Sequence, residues 1–75
     1  MKTVTIEYCS SCGYLAKAAS LAELILRTNT RTIAGVNLVP SEGGAFEVSA
    51  NGTLIHSKKE TGCHANPDDI LAALV

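Results

Sequence analysis

The chain has no tryptophan, one phenylalanine and two tyrosines among its 75 residues. Aromatic packing therefore cannot dominate its interior. With 47% hydrophobic residues a core is still available, built from Val, Ile, Leu and Ala. The length bounds the chain to one domain, residues 1–75, near the small end of what folds alone. No apolar run approaches the roughly 18–20 residues of a membrane span. There is no basic cluster and the net charge is −1, which argues against nucleic acid and against an anionic membrane surface as partner. Met1-Lys2-Thr3 leads straight into a strand pattern, so no signal peptide is read and a cytoplasmic location is expected. Repeats, linkers and low-complexity segments are absent. Cysteine is scarce, at three residues. An odd number in a reducing compartment points to reactive or metal-bound thiols, not to a disulfide scaffold.

Two of those cysteines stand in Tyr8-Cys9-Ser10-Ser11-Cys12-Gly13. A β-type run leads in and a helical pattern leads out. A C-x-x-C at such a junction lies near the unpaired N–H groups of a first helical turn, where the helix dipole favours thiolate over thiol. The spacing also lets the two sulfurs close a small ring. Cys9 and Cys12 are thus read as a thiol–disulfide redox pair. A zinc site is the rival, because C-x-x-C is half of a common four-ligand set. Only Cys63-His64 follows, and adjacent ligands fit one tetrahedral ion poorly, so no metal is expected; a site on Cys9, Cys12 and Cys63 stays as an alternative.

Taken in order, Val4, Ile6 and Tyr8 alternate with polar residues in a first strand. A helix from Cys12 to about Arg27 is predicted to bury Leu15, Ala18, Ala19, Ala22, Ile25 and Leu26. Residues 31–39 form a second strand, parallel to the first by a right-handed crossover. A loop at 40–44 precedes a strand at 45–50. Asn51-Gly52 is a strong hairpin signal, and 53–57 returns. A simple two-residue turn sets Val48 opposite Ile55, Glu47 opposite His56 and Phe46 opposite Ser57, which makes His56 a sheet-face partner of Glu47. Residues 58–66 read as a loop. Asn66 caps a last helix that begins at Pro67.

The order β-α-β-β-β-α gives a two-layer α/β sandwich, a four-stranded mixed sheet with both helices on one face. Thr3, Thr5, Glu7, Glu47, Ser49 and His56 are expected on the uncovered face. Strand directions bring loops 40–44 and 58–66 to the edge carrying Cys9 and Cys12. Ser10, Ser11, Gly43 and Gly44 are the expected binding rim, the glycines serving either as close-approach points or as ordinary turn residues.

The segments V-T-I-E-Y-C-S-S-C-G-Y at 4–14, G-G-A-F-E-V at 43–48 and N-G-T-L-I-H-S-K-K at 51–59 resemble the selenoprotein W-like, or Rdx, family. The likeness covers nearly the whole chain. It implies a thioredoxin-like fold and a small cytosolic thiol oxidoreductase with no cofactor, acting on protein thiols or glutathione as co-substrate. Family members often carry selenocysteine at the second position of the motif, which is Cys12 here. That favours Cys12 as attacking group, whereas thioredoxin-like geometry favours Cys9. The expectation that Cys12 lies buried within the helix tips the reading towards Cys9. A module that docks partners through the C-x-x-C rim without turnover is the alternative from another class. Cys63 departs from the family pattern. It is read as an apolar filler, or as an auxiliary thiol on the rim assisted by His64.

Overall fold

The computed structural model describes residues 1–28, 30–62 and 65–74. Alternation in the first strand, β1 (Lys2–Cys9), sends Val4, Ile6 and Tyr8 into the core and leaves Thr5 and Glu7 half-buried. β1 sits inside the sheet. It pairs in parallel with β2 (Ile33–Ser41) and antiparallel with β3 (Phe46–Ala50), while β4 (Thr53–Ser57) closes the order β2-β1-β3-β4. β2 runs two residues past the expected Val39. Pro40 is tolerated there because β2 is an edge strand, whose outward side needs no N–H donor.

α1 (Leu15–Thr28) and α3 (Pro67–Leu74) pack on the face carrying Val4, Ile6 and Val48. The buried stripe of α1 differs from the expected one. Ala18, Leu21, Ala22 and Ile25 face the sheet, whereas Leu15 and Leu26 are 51% and 41% exposed and Ala19 is exposed. The cause is the helix start. The chain turns through Gly13 (φ +75°) and enters the helix only at Leu15, with Tyr14 packed against the core. Tyr14 then leads the inward face at i, i+4, i+7 and i+11. At the other end of the chain, Asp68 N–H donates to Asn66 Oδ1 (2.9 Å), the expected cap of α3, and Ile70 and Leu74 are buried.

The Asn51-Gly52 turn forms with both residues at positive φ (50° and 83°), and Thr3 N–H donates to Asn51 Oδ1 at 2.9 Å, which ties the tip to β1. Ala50 faces Thr53 and Ser49 faces Leu54 as expected. A β-bulge then intervenes. Val48 faces His56 and Glu47 faces Ser57, with Ile55 as the extra residue packed on the core. The register therefore sets Ser57, not the expected His56, opposite Glu47, and sets His56 opposite the core residue Val48. Cross-strand pairs of that kind contribute only a few tenths of a kcal/mol, roughly. The bulged register brings Glu47 more: its carboxylate accepts from the Ser57 hydroxyl and from Lys58 N–H.

The expected loop at 58–66 begins instead with one helical turn, α2 (Lys58–Thr61). Ser57 caps it by accepting from Glu60 N–H, and Gly62 ends it in the left-handed region. No described helix is long and apolar enough to cross a membrane.

Candidate redox site

Cys9 is the last residue of β1, and its N–H donates to Ala45 O (2.8 Å). Ser10 N–H donates to Ser41 O (3.1 Å). These bonds draw the end of β1, the end of β2 and the entry to β3 into one rim. Tyr14 extends it: its ring meets Phe46 edge to face at 6.4 Å, and Lys58 Nζ lies 5.8 Å above the Tyr14 ring. The segments 9–14 and 41–46 thus converge, and Lys58 at the start of the 58–66 segment joins them, as strand directions required.

Cys9 and Cys12 are joined as a disulfide with Cα atoms 5.3 Å apart. Their surroundings are opposite to those expected. Cys9 is fully buried (0%) and Cys12 is exposed. Cys12 lies in a turn, not in the helix: Gly13 N–H donates back to Ser10 O and Tyr14 N–H to Cys9 O. The N–H groups free for a helix-end interaction begin at Leu15, three residues beyond Cys12. The helix-dipole contribution to thiolate formation is correspondingly weaker than the sequence pattern implied. A closer polar neighbour is Ser11, whose hydroxyl lies 3.4 Å from Cys9 Sγ.

Of the expected rim residues, Ser10 and Ser11 are exposed beside the cysteines. Gly43 and Gly44 take φ of 70° and 74°, which a turn here demands of glycine, with open space where a Cβ would stand. Cys63 and His64 fall outside the described residues, and with them the auxiliary-thiol and three-cysteine metal readings.

Sequence reasoning missed the role of Glu47. Burial alone would raise its pKa. The Ser57 hydroxyl and the N–H groups of Lys58, Lys59 and Phe46 outweigh that and hold the carboxyl below its ordinary value. This carboxylate anchors α2, and with it Lys58, to the rim. A readable signal existed in Ser57-x-x-Glu60, a capping-box pattern lying inside the supposed loop.

A mixed four-stranded sheet, helices on one face and a C-x-x-C between the first strand and first helix define a thioredoxin-like fold with a close cysteine pair. The chain belongs to the Rdx family, whose profile matches residues 3–74. Among solved structures it is similar to a selenoprotein W-related protein from Vibrio cholerae, at 29% identity and TM-score 0.93, covering 97% of this chain and 91% of that one. A Bordetella parapertussis protein is similar at 28% identity and TM-score 0.90, with 95% and 90% covered. Migration and invasion enhancer 1 of Bos taurus is 32% identical over 73 residues. That match takes in 95% of this chain but only 60% of the relative's length.

Proposed function

We propose that the protein is a thiol–disulfide oxidoreductase in which Cys12 attacks and Cys9 resolves. The observation that carries this reading is the opposite exposure of two sulfurs already within bonding reach. An attacking thiolate must reach a substrate disulfide, and of the two Cys12 is the exposed residue. Its sulfur bonds to one substrate sulfur and the other leaves as thiolate. Cys9 then bonds to Cys12 Sγ, the second substrate thiol leaves, and the protein holds the Cys9–Cys12 disulfide. Two electrons pass from the protein dithiol to the substrate, and a cellular thiol returns them.

Protein thiols or glutathione are the proposed partners and the cytoplasm the proposed setting. Membership of the Rdx family supports the chemistry. The rim of Ser10, Ser11, Gly43 and Gly44, flanked by Tyr14 and Lys58, is the proposed docking surface. The test is to treat reduced Cys9→Ser/Cys63→Ser and Cys12→Ser/Cys63→Ser separately with glutathione disulfide and weigh the products intact. A stable glutathione adduct on Cys12 in Cys9→Ser is expected, with none on Cys9 in Cys12→Ser. An adduct on Cys9 alone would reverse the assignment.

A further inference from the structure

Glu7 and Glu47 stand directly opposite each other on β1 and β3. Like charges in that position destabilise a sheet. Glu47 has a structural reason to be there, since it anchors α2. Glu7 instead links β1 to β2. Its one described hydrogen bond comes from the Ser41 hydroxyl, which donates to Glu7 Oε2 at 2.8 Å.

That bond places the carboxylate. In the parallel register Ser41 is level with Cys9, whereas Glu7 is level with Val39. Glu7 and Cys9 are two residues apart on one strand and so share a face. By reaching Ser41, the Glu7 side chain leans along the strand towards the level of Cys9. The Ser41 bond thus holds the carboxylate towards the level of the fully buried cysteine. We propose that Glu7, positioned by Ser41, accepts the proton of the Cys9 thiol when Cys9 resolves a mixed disulfide on Cys12.

This rests on the oxidoreductase reading above. A buried thiol has no bulk water to take its proton, and it must lose that proton to become a nucleophile. In the step, the Cys9 S–H proton passes to the Glu7 carboxylate, directly or through the Ser41 hydroxyl. The Cys9 sulfur bonds to Cys12 Sγ, and the substrate sulfur leaves as thiolate. The proton on Glu7 then passes to solvent or to the departing thiolate. The groups facing Glu7 are few. β2 offers Ser41 and the uncharged Val39, and β3 offers Glu47. The Lys58 ammonium of α2 lies over Tyr14 instead.

Two measurements decide it. The first is rapid acid quench of the reduced protein in a Cys63→Ser background, with Glu7 and Ser41 native, with Glu7→Gln or with Ser41→Ala, treated with glutathione disulfide and read by intact mass. Glu7→Gln is expected to form the mixed disulfide within about 2-fold of the rate with Glu7 native. It should resolve it about 10-fold or more slowly at neutral pH, a deficit that shrinks as alkali ionises the thiol directly. Ser41→Ala should show a smaller loss in the same step. Unchanged resolution in Glu7→Gln, or equal slowing of both steps, overturns the proposal. The second is titration of the Cys9 thiolate absorbance in a Cys12→Ser/Cys63→Ser background. A nearby negative charge disfavours thiolate, so Glu7→Gln should displace that titration to lower pH. No displacement also overturns the proposal. Should the protein with Glu7 and Ser41 native form no mixed disulfide at all, the oxidoreductase reading fails, and the titration still decides whether Glu7 and Cys9 are coupled.

Discussion

Glu47→Ala is predicted to destabilise the fold by about 2 kcal/mol at neutral pH, although Glu47 is only half-buried. The figure comes from its partners. The carboxylate accepts from the Ser57 hydroxyl and from Lys58 N–H at 2.9 Å, and Ser57 is only 4% exposed. Hydrogen bonds to a charged acceptor contribute about 1.5–3 kcal/mol each. The lower end applies at a partly exposed site, where solvent screens the charge. Against that, removing Glu47 relieves its repulsion with Glu7, which returns up to about 1 kcal/mol. In a domain this small each kcal/mol moves the melting temperature by about 4–8 °C, so a fall of about 8–16 °C is expected. The pH dependence is fixed by sign. The folded carboxyl lies below its ordinary value of 4.5, so its contribution is fully present above that pH. It is lost as pH falls through the depressed folded value. Thermal unfolding followed by circular dichroism at stepped pH should show the gap between wild type and variant narrowing below 4.5. Glu47→Gln should reproduce most of the loss at neutral pH. A gap under about 0.5 kcal/mol at neutral pH, or one unchanged in acid, would refute the anchoring argument.

Two further outcomes are expected from urea unfolding. Asn66→Ala should destabilise by about 1 kcal/mol, because it removes the oxygen that receives Asp68 N–H at the start of α3. Gly13→Ala should destabilise by about 1–2 kcal/mol through backbone strain alone, since φ is +75° there and nothing beyond its chain neighbours lies within 4 Å of the new Cβ.

The features legible in the sequence are those that local chemistry decides. Alternation at Val4, Ile6 and Tyr8, the Asn51-Gly52 turn and the Asn66-Pro67 start each rest on a few adjacent residues. The errors arise where distant groups compete. Apolar residues occupy two adjoining stripes of α1, and only the turn through Gly13 and the packing of Tyr14 choose Leu21 over Leu15 and Leu26. The Ile55 bulge likewise depends on donors that Glu47 finds on the far side of the hairpin. No period in the 53–57 segment encodes that. The exposure of the cysteines differs from the expectation for the same reason as the helix face: the helix starts at Leu15, not at Cys12.

That shift of three residues accounts for the division of labour proposed for the two sulfurs. Cys9 is still strand: its N–H is held by Ala45 O and its neighbours across the sheet are fixed. It is level with the hydroxyl that holds Glu7. Cys12 has left the strand. It sits in a turn closed by the Gly13 and Tyr14 N–H bonds, without neighbouring strands to constrain it. Carrying a mixed disulfide requires the second kind of position, because the adduct needs room outside the core. Resolving it requires the first kind, because the second sulfur must wait at a fixed place within reach and keep water out. Had the helix begun at Cys12, both sulfurs would have been held by regular structure, and exposure would not have distinguished them. The two-residue spacer with Gly13 behind it separates a buried cysteine held in a strand from an exposed one in a turn while keeping their Cα atoms 5.3 Å apart.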